Sequence, residues 1–252
     1  MIIIHQESVS YDLITISNSG RDMMVAILTP VLGAATAVLA LASGRNMWQA
    51  YSICHAHDRE DGGGSCPSIG NVSSQEEVLS KLQSMPKSDL LKLFLSSEPP
   101  ASHEESIKGE WNGILLHNNL VLTTVTNFIT NTLFGMGRKW NGKAFYEENK
   151  GINRFHAKAD SSSIQTEHRF DFSIAPSRLD PKSSSVILIY NKYQNLFSPW
   201  KAMVDELRVL KLPQDSSVEV MICMGCMGWS GGMLNASPFC LWRPKRREAT
   251  AK

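Results

Sequence analysis

The chain has 252 residues, 42% hydrophobic and 19% charged, with a formal net charge of +1. That is room for one domain with accessories or two small ones, and the balanced charge gives no large field to attract nucleic acid. Five cysteines, an odd and scattered number, exclude a disulfide framework and leave the redox compartment open.

In chain order, residues 1–22 read as a leader. Met23 to Ala42 are twenty residues without a charge, and a helix of that length spans roughly 30 Å, the thickness of a bilayer's hydrocarbon core. Three readings of 23–43 stay open: a membrane helix or signal anchor, a leader cut near the A-x-A-like Ala40–Leu41–Ala42, or a buried helix. The first two put the protein at a membrane or in an organelle or secretory compartment, and the third in the cytoplasm. Residues 44–73, with three consecutive glycines, Ser65 and Pro67, read as a linker. The linker holds Cys54, His55 and His57, a weak cluster at which no metal is expected, and the sequon Asn71–Val72–Ser73.

Residues 74–105 form a helical arm. Ser74 with Glu77 is a capping box before Val78, Leu82 and Met85, and Pro86 ends that run. Ser88 caps a second run, in which Leu90, Leu91, Phe94 and Leu95 share a face. Both helices are expected to pack on the following domain or to plug one mouth of it.

From 106 to 245 the pattern turns to strands. Seven short runs rich in β-branched or aromatic residues, Trp111–Leu116, Lys143–Tyr146, Asn153–Ala157, Ile164–Ile174, Val186–Tyr190, Val218–Met227 and Phe239–Arg243, are separated by serine, proline and glycine turns. Such spacing predicts a mainly β (α+β) fold, a small antiparallel barrel with short accessory helices. His168, Phe170, Phe172 and Ile174 alternate with Arg169, Asp171 and Ser173, which predicts one dry face. Two helical pieces are expected to interrupt the sheet. One covers Leu120 to Phe134, where Val121, Val125, Phe128, Ile129 and Leu133 fit a helix face while the threonine and valine content also suits a strand; the other starts at Ser198–Pro199, carries Trp200, Met203, Val204, Leu207 and Leu210 at helical spacing, and lids the barrel. Cys223 and Cys226 form a C-x-x-C, but on a strand they face opposite ways and read as structural thiols. Residues 246–252 are a basic tail.

Gly109, Trp111 and Gly113 spell G-E-W-N-G, and Trp140, Gly142, Lys143 and Phe145 spell W-x-G-K-x-F. With Tyr190, Asp205, Arg208, Phe239, Leu241 and Arg243 further on, residues 106–245 resemble the GXWXG family, proteins of unassigned function, together with its usual downstream domain of unknown function. The arrangement is also similar to the closure of lipocalin barrels, which implies that Arg243 packs across the ring of Trp111 as a structural clasp.

Candidates for acid–base chemistry are His156, His168, Asp171, Tyr190, Asp205 and Arg208, with Asp205 and Arg208 three apart on the expected helix. Trp140, Lys143, Phe170, Phe172 and Tyr190 are the candidate ligand contacts. No P-loop, G-x-G-x-x-G, nucleophile elbow or H-E-x-x-H is present, so no cofactor is implied. The expected function is binding of a small hydrophobic ligand such as a lipid, isoprenoid or pigment, with possible membrane association through 23–43. The alternatives are an isomerase, cyclase or hydrolase working in the same cavity, and a structural subunit of a membrane complex.

Overall fold

Extended runs closed by short turns pair in sequence order to make eight strands: β1 Gly109–Leu115, β2 Trp140–Glu147, β3 Lys150–His156, β4 Ile164–Pro176, β5 Ser184–Ile189, β6 Met203–Val209, β7 Val218–Met227 and β8 Ser237–Pro244. The computed structural model describes residues 40–57, 67, 69–70, 72, 74–99, 107–116, 120–147, 149–158, 160–213 and 216–245. The leader, most of 23–43 and the basic tail lie outside these residues. So does nearly all of the unit Met1–Leu41, and the fold is that of the unit Ala42–Lys252. Neighbouring strands are antiparallel, and β8 returns to β1, with Asn112 opposite Trp242 and Leu115 opposite Phe239. The sheet is therefore a closed barrel without edge strands.

The strand absent from the sequence reading is β6. Met203, Val204, Leu207 and Leu210 fall at helical spacing because this strand is covered on both sides, so apolar residues occur at odd and even positions alike. Only a 3-10 turn, Pro199–Ala202, precedes it, with the expected proline at its start. The lid helix expected here is thus a barrel strand, and Asp205 and Arg208 are not helical neighbours.

Two-sided burial runs through β5 to β8. In β7, Met221 and Cys223 face a cluster inside the barrel, while Val218, Val220, Ile222, Met224 and Cys226 face a second cluster outside it. That outer layer is covered by helix α1 (40–57), α2 (Gln75–Ser84) and α3 (Lys87–Ser96). Residues 44–57 of the expected linker are accordingly helical. The Ser74 hydroxyl accepts from the Glu77 amide at 3.3 Å and starts α2, whereas α3 starts at Pro86 rather than Ser88. Both arm helices lie against the outside of the barrel and neither plugs its mouth.

Between β1 and β2 the chain forms α4 (Leu120–Asn127) and continues as a π-helix, Phe128–Phe134. The helix expected over 120–134 is present, and its widened second half is a local geometry that apolar periodicity does not encode. The dry face expected along β4 ends at Phe172, and Ile174 is exposed. β4 has thirteen residues and outruns β3, whose last partner on it is Asp171, so beyond that point one flank of β4 is open.

The two glycine motifs have a steric cause. A Cβ on Gly113 would lie 2.4 Å from the Trp140 ring and 2.8 Å from the Gly142 Cα. Gly142, at φ 135°, would place a Cβ 2.1 Å from the Trp111 carbonyl oxygen. β1 and β2 cross there with Trp140 laid over the crossing, and only glycine fits at either position.

Candidate functional site in the barrel interior

Lys143 and Trp140 are three apart on β2 and on a regular strand would face opposite ways. A bulge between Trp140 and Gly142 turns both inward. A second irregularity, between the pairs Ile152–Arg169 and Asn153–Glu167, leaves His168 without a pairing partner on β3, in the left-handed region at φ 56°. Two irregularities on facing strands thus aim side chains at one region of the interior.

There the Lys143 ammonium donates to Asn153 Oδ1 at 2.8 Å and to Tyr190 Oη at 2.6 Å, and pairs with Asp205 Oδ2 at 2.9 Å. The Tyr190 hydroxyl donates to Asp205 Oδ2 at 2.8 Å. Asn153 donates to Tyr190 Oη at 3.3 Å and to the His168 carbonyl at 3.1 Å, and accepts from Trp140 Nε1 at 3.2 Å. The ammonium also lies 5.2–5.6 Å from the ring centres of Trp140, Phe170, Tyr190 and Phe239, so the charge is held by aromatic faces as well as by its carboxylate. Burial first, and the Asp205 charge second, push the Tyr190 phenol well above its ordinary value, so it stays protonated and donating.

Phe134, at the end of the π-helix, closes this region from above. Its ring stacks on His168 at 4.0 Å and meets Phe155, Tyr190 and Trp200 edge-on. Its carbonyl oxygen lies 2.7 Å from His168 Nε2, and Asn131 of the same segment accepts from the Trp140 amide at 2.8 Å. Burial lowers the His168 pKa, which favours a neutral ring donating to that carbonyl.

Trp140, Lys143, Phe170, Phe172 and Tyr190 are thus all inside the barrel, and Asp205 joins them. The other candidates are elsewhere. Arg208 points outward, completely buried under α3, donating to the Leu95 carbonyl at 2.9 Å and Ser185 Oγ at 2.9 Å and pairing with Asp180 at 3.5 Å. His156 faces away from the interior, against the Ser161 carbonyl and Asn141. Asp171 is also outside, bonded to Tyr193 and paired with Lys192. Sequence reasoning passed over Asn153 and Phe134. The available signal for Asn153 was its place two residues before Phe155, on the same face of the strand.

At the other end of the barrel the Arg243 guanidinium lies 4.0 Å over the Trp111 ring and bonds to Glu219 at 2.7 Å and to the Lys108 carbonyl at 2.6 Å. Beside this pair is a pocket of about 490 Å³, walled by Ile107, Trp111, Val209, Leu210, Val220 and Met221, with Glu219, Arg243 and Lys245 as its charged lining. Ile107, Trp111, Val209 and Met221 of its wall belong to the inner cluster and Leu210, Val218 and Val220 to the outer one, so the pocket lies at the barrel rim, where Trp111 is the cross-strand partner of Lys143.

Of the cysteines, Cys223 faces inward and Cys226 and Cys240 outward, all three as buried thiols. Burial pushes Cys226 and Cys240 up to about 12, which removes thiolate chemistry at neutral pH. Cys54 lies in α1 against the outer core. Asn235, which with Ala236 and Ser237 forms an N-x-S sequon, accepts from Asn46 at 2.9 Å and donates to the Ser230 carbonyl at 2.7 Å. Comparison of the chain with protein-family models, with curated proteins and with solved structures returned no match.

Proposed function

We propose that the protein binds a small, largely apolar molecule, of the lipid, isoprenoid or pigment class, in the chamber at the Trp111–Arg243 end of the barrel. The observation that carries this reading is the chamber itself. Its volume of about 490 Å³ falls in the range of small-molecule sites, and its walls are apolar with a few fixed charges. On this reading the chain is a lipocalin-like member of the GXWXG family. In support, Gly113, Gly142, Trp140, Trp111 and Arg243 meet in space as one closure, each for a steric or cation–π reason.

Native mass spectrometry of protein from its own cells, followed by solvent extraction, tests the reading. A co-purifying apolar molecule is expected, together with binding of the probe N-phenyl-1-naphthylamine that is lost in Met221→Trp, where the larger side chain fills the chamber. An empty protein that also ignores the probe would sink it.

The Lys143, Tyr190 and Asp205 cluster favours a second reading, acid–base catalysis on the same ligand. In that case Lys143→Met accumulates a different molecule from the wild-type protein, substrate instead of product. Recovery of one and the same molecule from both rejects catalysis.

A further inference from the structure

In an up-and-down barrel every second connection emerges at the same end. Connections 116–139, 157–163, 190–202 and 228–236 therefore share the end closed by the π-helix, and 148–149, 177–183 and 210–217 share the end with the chamber. Among the described residues the first set carries Arg138, Lys139, Lys158, Lys192 and Lys201 against the single acid Asp160. Arg138 is buried and paired with Glu167, and Lys192 reaches Asp171 at 3.4 Å, but Lys139, Lys158, Lys192 and Lys201 are all exposed.

The same connections bear large apolar side chains in the open. Phe197 is 93% exposed, Leu196 73% and Trp229 63%, with Phe128, Leu133 and Met136 about half exposed. Soluble surfaces seldom gather so many at one end. They project from three separate connections with lysines among them, which suits a fluid surface that needs no matching shape. Helix α1 reaches this end as well, where Asn46 donates to Asn235 at 2.9 Å, and its Trp48 is 71% exposed.

We propose that this end of the barrel docks peripherally on an anionic lipid bilayer. Leu196, Phe197 and Trp229 enter the interfacial zone, where aromatic side chains are favoured, and Lys139, Lys158, Lys192 and Lys201 meet the headgroup charge. This docking does not depend on the ligand reading, because the chamber lies at the opposite end.

Co-sedimentation of the full chain with vesicles of phosphatidylcholine, with and without phosphatidylserine, tests it. Wild-type protein is expected to prefer the phosphatidylserine vesicles and to lose that preference at high salt. Replacing Leu196→Glu together with Phe197→Glu is expected to lower partitioning roughly tenfold or more, and Lys139→Glu with Lys201→Glu to abolish the lipid preference. These positions are exposed, so both variants are expected to melt as the wild type does. The proposal falls if the Leu196, Phe197 variant partitions like wild type, because binding then comes from elsewhere in the chain, such as 23–42. It also falls if wild type binds neither vesicle, or if sedimentation velocity shows that these substitutions break a self-associated form, which would make the face a contact between two copies.

Discussion

A buried charge is tolerable only when its partners are all present, and two lysines of this protein show both sides of that rule. Lys143 has a carboxylate, a phenol, an amide and four aromatic faces around it. Asp205→Asn removes its counter-charge inside the barrel and should cost about 3–5 kcal/mol in urea unfolding, whereas the double change Lys143→Met with Asp205→Leu should recover most of that loss. Lys87, at the start of α3, is the opposite case: its ammonium is buried without a hydrogen-bond partner among the described residues. Burial lowers its pKa from 10.5 to about 7. Between those values the unfolded chain holds a proton that the folded chain has released, so stability should rise as pH climbs from about 7 toward 10.5. Lys87→Met should flatten that rise and raise stability at pH 6 by on the order of 2 kcal/mol, read from chemical denaturation at several pH values.

Single elements owe their position to contacts made across the fold. The last turn of α3 leaves carbonyls without helical partners, and Arg208 of β6 supplies the donor to Leu95 from beneath while its guanidinium lies 4.7 Å from the centre of the Phe94 ring. Lys211 with Glu98, and the bridge between Glu98 and Val209, tie down the residues after the helix. Arg208→Ala should therefore loosen α2 and α3 first, seen as faster amide exchange in 75–96, with a loss of about 3–5 kcal/mol overall because Asp180 and the α3 carbonyls lose their donor. The π-helix over the barrel mouth is held differently, through Phe134 on His168 and Asn131 on the Trp140 amide. Its neighbour His168 occupies a left-handed conformation at a bulge, a strained backbone that surrounding contacts must impose.

At the scale of the whole molecule the barrel has two unlike ends: an apolar chamber beneath the Trp111–Arg243 pair, and a basic face studded with apolar side chains around the π-helix. If the two readings are separate functions, substitutions should separate them. Met221→Trp should abolish binding of N-phenyl-1-naphthylamine and leave vesicle partitioning unchanged, while Phe197→Glu should do the reverse, measured by fluorescence titration and co-sedimentation on the same preparations.

How much of this was legible in the residues depends on how local the cause was. Alternating runs between turn residues determined seven of the strands and the mainly β class, because a strand's pleat writes burial into every second position. Ser74 and Glu77 determined the start of α2, since a capping box acts within four residues, whereas the glycines of G-E-W-N-G and W-N-G-K stood out only as motifs, because the close approach of Gly113 and Gly142 joins two separate strands. β6 escaped because its two faces meet different partners, the barrel interior and α3, and two-sided burial erases the alternation. The polar cluster was half visible: Trp140, Lys143, Tyr190 and Asp205 stand out as residue types, but one strand bulge decides that Trp140 and Lys143 face the same way. Which of Asp205 and Arg208 points inward followed only from the strand that carries them. Tertiary structure alone decided that convergence, because it depends on the register of strands far apart in the chain, and no local pattern records register.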